Sequence, residues 1–239
     1  MPDAIIFTFG WIGAVAAAGM LGAVAARGRI GWAWFLGALL LMAAYDAVLT
    51  RGYGHIPLTL WPSDWNWEGK GMAVALSLMV AGLPLLGWRR TGLTLAQDRK
   101  GLPGGLILSG LLFALFVGLA LYFPGEGFDA DSLAFQLTMP GLDEELFYRG
   151  VLLLTLNEAF GRPIRVFGAP MGRGSVLSSL AFGLAHALVY ADGAFTFDAL
   201  LMATSGVSAL LLVWLKEKTG SLLLPILMHN FGNAVFMLI

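Results

Sequence analysis

Between Gly141 and Gly150 the chain reads Gly-Leu-Asp-Glu-Glu-Leu-Phe-Tyr-Arg-Gly, so Asp143, Glu144, Glu145 and Arg149 fall inside an otherwise apolar stretch. A charged side chain at the centre of a membrane helix costs about 2.5–3.5 kcal/mol on insertion scales, which makes such residues candidates for function. Two more apolar stretches carry polar groups of this kind. One holds His186, in Phe182-Gly-Leu-Ala-His186; the other holds His229, Asn230 and Asn233, in His229-Asn-Phe-Gly-Asn233. Carboxylates and imidazoles together suit acid–base work on a water molecule. At about 100° per residue, Glu145 and Arg149 nearly eclipse and are expected to pair along the helix. Glu144 lies about a quarter-turn away and is expected to stay unpaired, free to take a proton. Phe182 and His186, like His229 and Asn233, share one helix face through their i,i+4 spacing. Pro140 removes a backbone donor and crowds the carbonyl of Gln136. A freed carbonyl at membrane depth calls for a polar or water-filled cavity.

Composition places the helices that must position these residues in a membrane. Of 239 residues, 58% are hydrophobic, 12% are charged and none is cysteine, against about 45–50% apolar and about 25% charged in a soluble domain. That excludes a disordered chain, a disulfide scaffold, a zinc finger, a thiol nucleophile and a nucleic-acid partner. A span needs about 20 mostly apolar residues, and we read eight, at 5–26, 30–49, 71–88, 104–123, 132–157, 175–190, 197–215 and 222–239. The expected fold class is all-α: a polytopic bundle of about eight transmembrane helices, a single integral-membrane domain over 1–239. Helices at 5–123 precede a motif-bearing half at 131–239.

Lys and Arg favour cytoplasmic loops. Eleven of the fourteen lie in odd-numbered loops (Arg27, Arg29, Arg89, Arg90, Arg99, Lys100, Arg162, Arg165, Arg173, Lys216 and Lys218), and only Arg51 and Lys70 in even ones. The even loops carry Asp64, Glu68, Glu126, Asp129, Asp131, Asp192 and Asp198 instead. Both termini are therefore expected outside the cytoplasm. Trp61, Trp65 and Trp67 mark the second loop as an interfacial segment, with a substrate gate as the alternative. Counting along the spans puts Glu144, His186 and His229 well inside the membrane; a hydrolytic reading of them requires that they converge on one water-sized cavity.

Glu144-Glu145-Leu-Phe-Tyr-Arg149 resembles the E-E-x-x-x-R motif of the CPBP intramembrane proteases, which include the type 2 CAAX prenyl proteases. Phe182-Gly-Leu-Ala-His186 is similar to that family's F-x-x-x-H motif, and His229-Asn-Phe-Gly-Asn233 to its H-x-x-x-N motif. The resemblance covers about residues 140–239. It implies an intramembrane endopeptidase in which Glu144 activates water and His186 helps to hold it. His229 and Asn233 would stabilise the oxyanion, with Glu145, Arg149 and Phe182 in support. The implied partner is a membrane-anchored or lipidated polypeptide, cut near its C-terminus. A glutamate mechanism with no cofactor is expected. Were zinc bound, Glu144, His186 and His229 would be its ligands with one position open, although His-Glu-x-x-His is absent.

Other readings attach to other residues. Gly206-Val-Ser208 resembles the nucleophile motif of rhomboid serine proteases, with His229 as partner. Tyr45-Asp46 and Gly141-Leu-Asp143 resemble intramembrane aspartyl proteases. Small residues such as Gly206 and Ser208 also serve helix packing. A binding or bacteriocin-immunity protein of the same fold, or a transporter with a proton relay, would also bury such charges. The Gly-, Ala- and Trp-rich spans suggest a bacterial inner membrane.

Overall fold

Apolar runs became helices almost one for one. The computed structural model describes residues 2–25, 30–123, 125, 127 and 129–239; Arg27, Arg29 and Glu126, counted above for orientation, lie outside the described residues. The helices are α1 (Pro2–Ala25), α2 (Trp32–Leu49), α3 (Trp67–Gly82), the one-turn α4 (Trp88–Thr91), α5 (Leu102–Tyr122) and α6 (Ala130–Pro140). A π-helical segment, Gly141–Leu152, continues α6 and leads into α7 (Leu153–Phe160). Then follow the hairpin β1 (Ile164–Val166) and β2 (Ala169–Met171), and α8 (Arg173–Ala187). A second hairpin, β3 (Leu188–Ala191) and β4 (Ala194–Phe197), precedes α9 (Ala199–Thr219) and α10 (Leu223–Leu238).

The fold is an all-α membrane protein. Among the described residues, four helices, α1, α2, α5 and α9, are long and apolar enough to cross a bilayer. Their outward faces carry Phe9, Val24, Leu40, Leu111 and Leu200, all largely exposed. Water would penalise such surfaces, while lipid does not. The remaining segments are shorter or carry the charged cluster.

Two expectations need correction. The sixth span does not run to residue 190, nor does the seventh start at 197: residues 188–197 form an antiparallel hairpin, with Leu188 opposite Phe197. Its turn is Asp192-Gly193, both with positive φ (53° and 78°), the pairing that suits a two-residue hairpin loop. His186 consequently lies in the last turn of α8 rather than at mid-span. The second correction is the π segment. A 3.6-residue period was assumed throughout, but twelve residues here are wound wider, with i→i+5 bonding.

The π segment is the hub, packed by α2, α3, α7, α8 and α10. Tyr45 of α2 stacks on Phe147, with ring centroids 3.8 Å apart. Trp11, Phe35, Met42, Phe147 and Phe182 fill the main core around it. The buried Asn230 of α10 fixes the entry to this segment. Its Oδ1 accepts from Gly141 N–H at 2.7 Å, and its Nδ2 donates to Thr138 O at 3.2 Å. One amide thus spans Pro140 and takes up a carbonyl near the kink.

A candidate active site inside the bundle

The cluster is built from three directions. Glu144 and Glu145 come from the π segment, His186 from α8 and His229 from α10. The Glu144 carboxylate faces both imidazoles, with Oε2 3.6 Å from His229 Nε2 and 4.0 Å from His186 Nε2. That oxygen is buried and has no hydrogen-bond partner among the described residues. Both gaps exceed a direct hydrogen bond but suit one shared water. A buried acceptor left unpaired costs about 1–3 kcal/mol, so the arrangement favours a water or substrate group that donates to it.

Each histidine is held by its other nitrogen. His186 Nδ1–H donates to Phe182 O at 2.8 Å. His229 Nδ1–H donates to Glu145 Oε1 at 2.6 Å. Carbonyl and carboxylate oxygens only accept, so these contacts assign the protons to Nδ1 and turn each Nε2 toward Glu144. Phe182 also packs on both rings, with centroids 4.3 Å from His186 and 6.0 Å from His229.

Glu145 is not neutralised by Arg149 alone. Arg149 Nη1 lies 3.1 Å from Glu145 Oε1, an ion contact between two fully buried side chains. The alignment is poor, however, and none of the three guanidinium nitrogens makes a hydrogen bond to a described residue. The guanidinium carbon sits 4.2 Å over the Phe182 ring instead. Glu145 therefore serves His229 and Arg149 together.

Glu144 is not unpaired, as its place on the helix had suggested. Lys70, on the first turn of α3, reaches in with Nζ 2.5 Å from Glu144 Oε1 and 3.0 Å from Asp143 Oδ2. Tyr45 Oη donates to the same Asp143 oxygen at 2.8 Å. In the sequence Lys70 counts as a loop charge because it precedes the apolar run, and nothing local ties it to Glu144, 74 positions away. A lone lysine at the start of a span, beside a tryptophan cluster, was the available signal.

Lys70, Glu144, His186 and His229 line a cavity of about 860 Å³, which also takes in Arg149, Phe182 and Ser208. Asn233 borders it, exposed and without a hydrogen bond to a described residue. The volume lies within the range of about 300–1,000 Å³ for ligand sites. The alternative pairings are not assembled. Both ring nitrogens of His229 face carboxylates, leaving none for Ser208. Asp46 accepts from Thr8 Oγ1 at 2.6 Å, whereas Asp143 belongs to Lys70 and Tyr45.

At the mouth, the tryptophan loop is fastened to α6. Trp65 stacks on Phe135 at 4.8 Å and its indole donates to Ser132 Oγ at 2.8 Å. The indoles of Trp61 and Trp67 both donate to Asp131 Oδ1, at 3.1 and 3.2 Å.

The structure is thus a helical membrane protein that encloses an acid–histidine cluster in its bundle. Residues 129–235 match the family model described as Rce1-like, type II CAAX prenyl endopeptidase. The matched residues hold all three motifs, and the family so described is one of endopeptidases. No curated protein and no solved structure matches the chain.

Proposed function

We propose that this chain is an intramembrane endopeptidase that uses a glutamate-activated water to cut a membrane-anchored or lipidated polypeptide near its C-terminus. The observation that carries the reading is the unpartnered Glu144 Oε2, aimed between two Nε2 atoms beside a cavity. A water there donates one hydrogen to Glu144 Oε2 and the other to His186 Nε2. Glu144 takes the proton as the water oxygen attacks the scissile carbonyl carbon. The oxyanion is met by the Asn233 amide and by His229 as the imidazolium, whose Nε2–H donates to it while Nδ1–H stays on Glu145 Oε1. Glu144 then returns the proton to the amine as the C–N bond breaks. Glu145 keeps the His229 ring turned, and Lys70 fixes the other oxygen of Glu144.

We propose a metal-free site. An ammonium already engages the carboxylate at 2.5 Å. We propose, too, a single integral-membrane domain with both termini outside the cytoplasm of a bacterial cell.

The test is mass spectrometry of the membrane proteome from cells with the wild-type gene, with Glu144→Gln and with none. New C-termini that appear only with the wild type support the reading. Identical peptide ends in all three overturn it and favour a binding or immunity role. Chelation of the purified enzyme should leave its activity unchanged.

A further inference from the structure

We infer that the cavity opens on the extracytoplasmic face, so that the bond cut belongs to a polypeptide segment already carried across the membrane. The substrate class in this statement rests on the protease reading above; the orientation does not. The cavity occupies one end of the bundle. Asp64, Trp65 and Asn66 belong to the α2–α3 loop, His186 to the last turn of α8, and Thr204 and Ser205 to the start of α9. The β3–β4 hairpin joins those ends of α8 and α9.

The opposite end gathers the basic segments, 88–101, 161–173 and 216–222. Arg90 pairs with Glu158 at 2.7 Å, Lys218 Nζ donates to Phe167 O at 2.7 Å, and Leu222 N–H donates to Gly92 O at 2.9 Å. An excess of Lys and Arg marks the cytoplasmic side.

Both cations counted on the cavity end are engaged within the protein. Lys70 is held by Asp143 and Glu144, and Arg51 Nη1 folds back onto Leu58 O at 3.0 Å. The cavity end presents Asp64, Asp129 and Asp192 to its surroundings, all exposed. A polypeptide lipidated at a cytoplasmic C-terminus offers its bond to the other face. A translocated, membrane-anchored polypeptide offers it here.

The chain has no cysteine, so single-cysteine variants report topology without background. Asp64→Cys, Lys100→Cys and Arg165→Cys all fall at exposed positions. They are expressed in sealed cells and treated with a membrane-impermeant maleimide, before and after lysis. The expected result is full labelling of Asp64→Cys in sealed cells, and labelling of Lys100→Cys and Arg165→Cys only after lysis. Labelling of either basic-end variant in sealed cells, or protection of Asp64→Cys until lysis, overturns the inference. Thr59→Cys, exposed in the same loop as Asp64, repeats the measurement should Asp64→Cys fold poorly. Labelling needs no catalysis. A silent protein with this orientation would defeat the protease reading alone, and a cleaving protein with the reverse orientation would defeat only this one.

Discussion

Glu144 sits between a cation and two imidazoles, and this placement makes separable predictions for the side chains around it. Glu144→Gln keeps the shape and can still accept from Lys70, but cannot take a proton. Cleavage should vanish while the protein inserts and purifies normally; turnover within about tenfold of wild type would remove Glu144 from the base role. Lys70→Met leaves Asp143 and Glu144 side by side without their shared ammonium. Removing one partner of a buried ion pair costs about 3–5 kcal/mol, so thermal unfolding in detergent should fall sharply. Adding Asp143→Asn to Lys70→Met should recover much of it. Full stability of Lys70→Met would show that the ammonium does not hold the pair. Glu145→Ala and Arg149→Ala each strand a buried charge, and Glu145→Ala also frees the His229 ring. Both should lose stability together with activity. A variant that is inactive yet fully stable would contradict the supporting role.

The π segment is the element that turns a sequence motif into a site. Its entry depends on Asn230, which bonds across the Pro140 kink, and on a glycine at 141. A Cβ there would lie 2.5 Å from Asn230 Oδ1 and 2.8 Å from the backbone carbonyl of Ile226. The backbone atom cannot yield cheaply, so Gly141→Ala should cost about 1–3 kcal/mol through overpacking. Asn230→Leu removes two hydrogen bonds, each worth about 0.5–1.5 kcal/mol net, and strands the Gly141 donor. Both variants should show lower Tm and weakened cleavage, although neither side chain touches the proposed water. Wild-type Tm and activity in Asn230→Leu would mean that the kink holds itself.

At the scale of the molecule, two ends of opposite character frame the site, and the tryptophan loop closes part of the cavity end. Asp131 holds that loop through the Trp61 and Trp67 indoles and the Ser63 hydroxyl. Asp131→Ala should release it. Hydrogen exchange over residues 59–67 should speed by about tenfold or more, with α9 unchanged, because only local contacts are lost. Unaltered exchange would mean that the stacking of Trp65 on Phe135 suffices.

Composition and apolar run length determined the helical membrane fold, because burial in lipid demands satisfied backbone bonds over a fixed thickness. The i,i+4 spacings, together with the cost of intramembrane charge, picked out Glu144, Glu145, Arg149, His186 and His229. Only the tertiary structure brought Lys70 to Glu144 and Asn230 to Gly141, because both contacts join segments more than 70 positions apart that no local period relates. Periodicity was equally blind to the π winding, since a 3.6-residue template has no place for an i→i+5 turn. The hairpin that ends α8 did leave a mark, the Asp192-Gly193 turn, which the apolar run around it had hidden. The face we infer for the cavity rests on both levels: charge counting separates two sides, and packing gathers the cluster toward one of them.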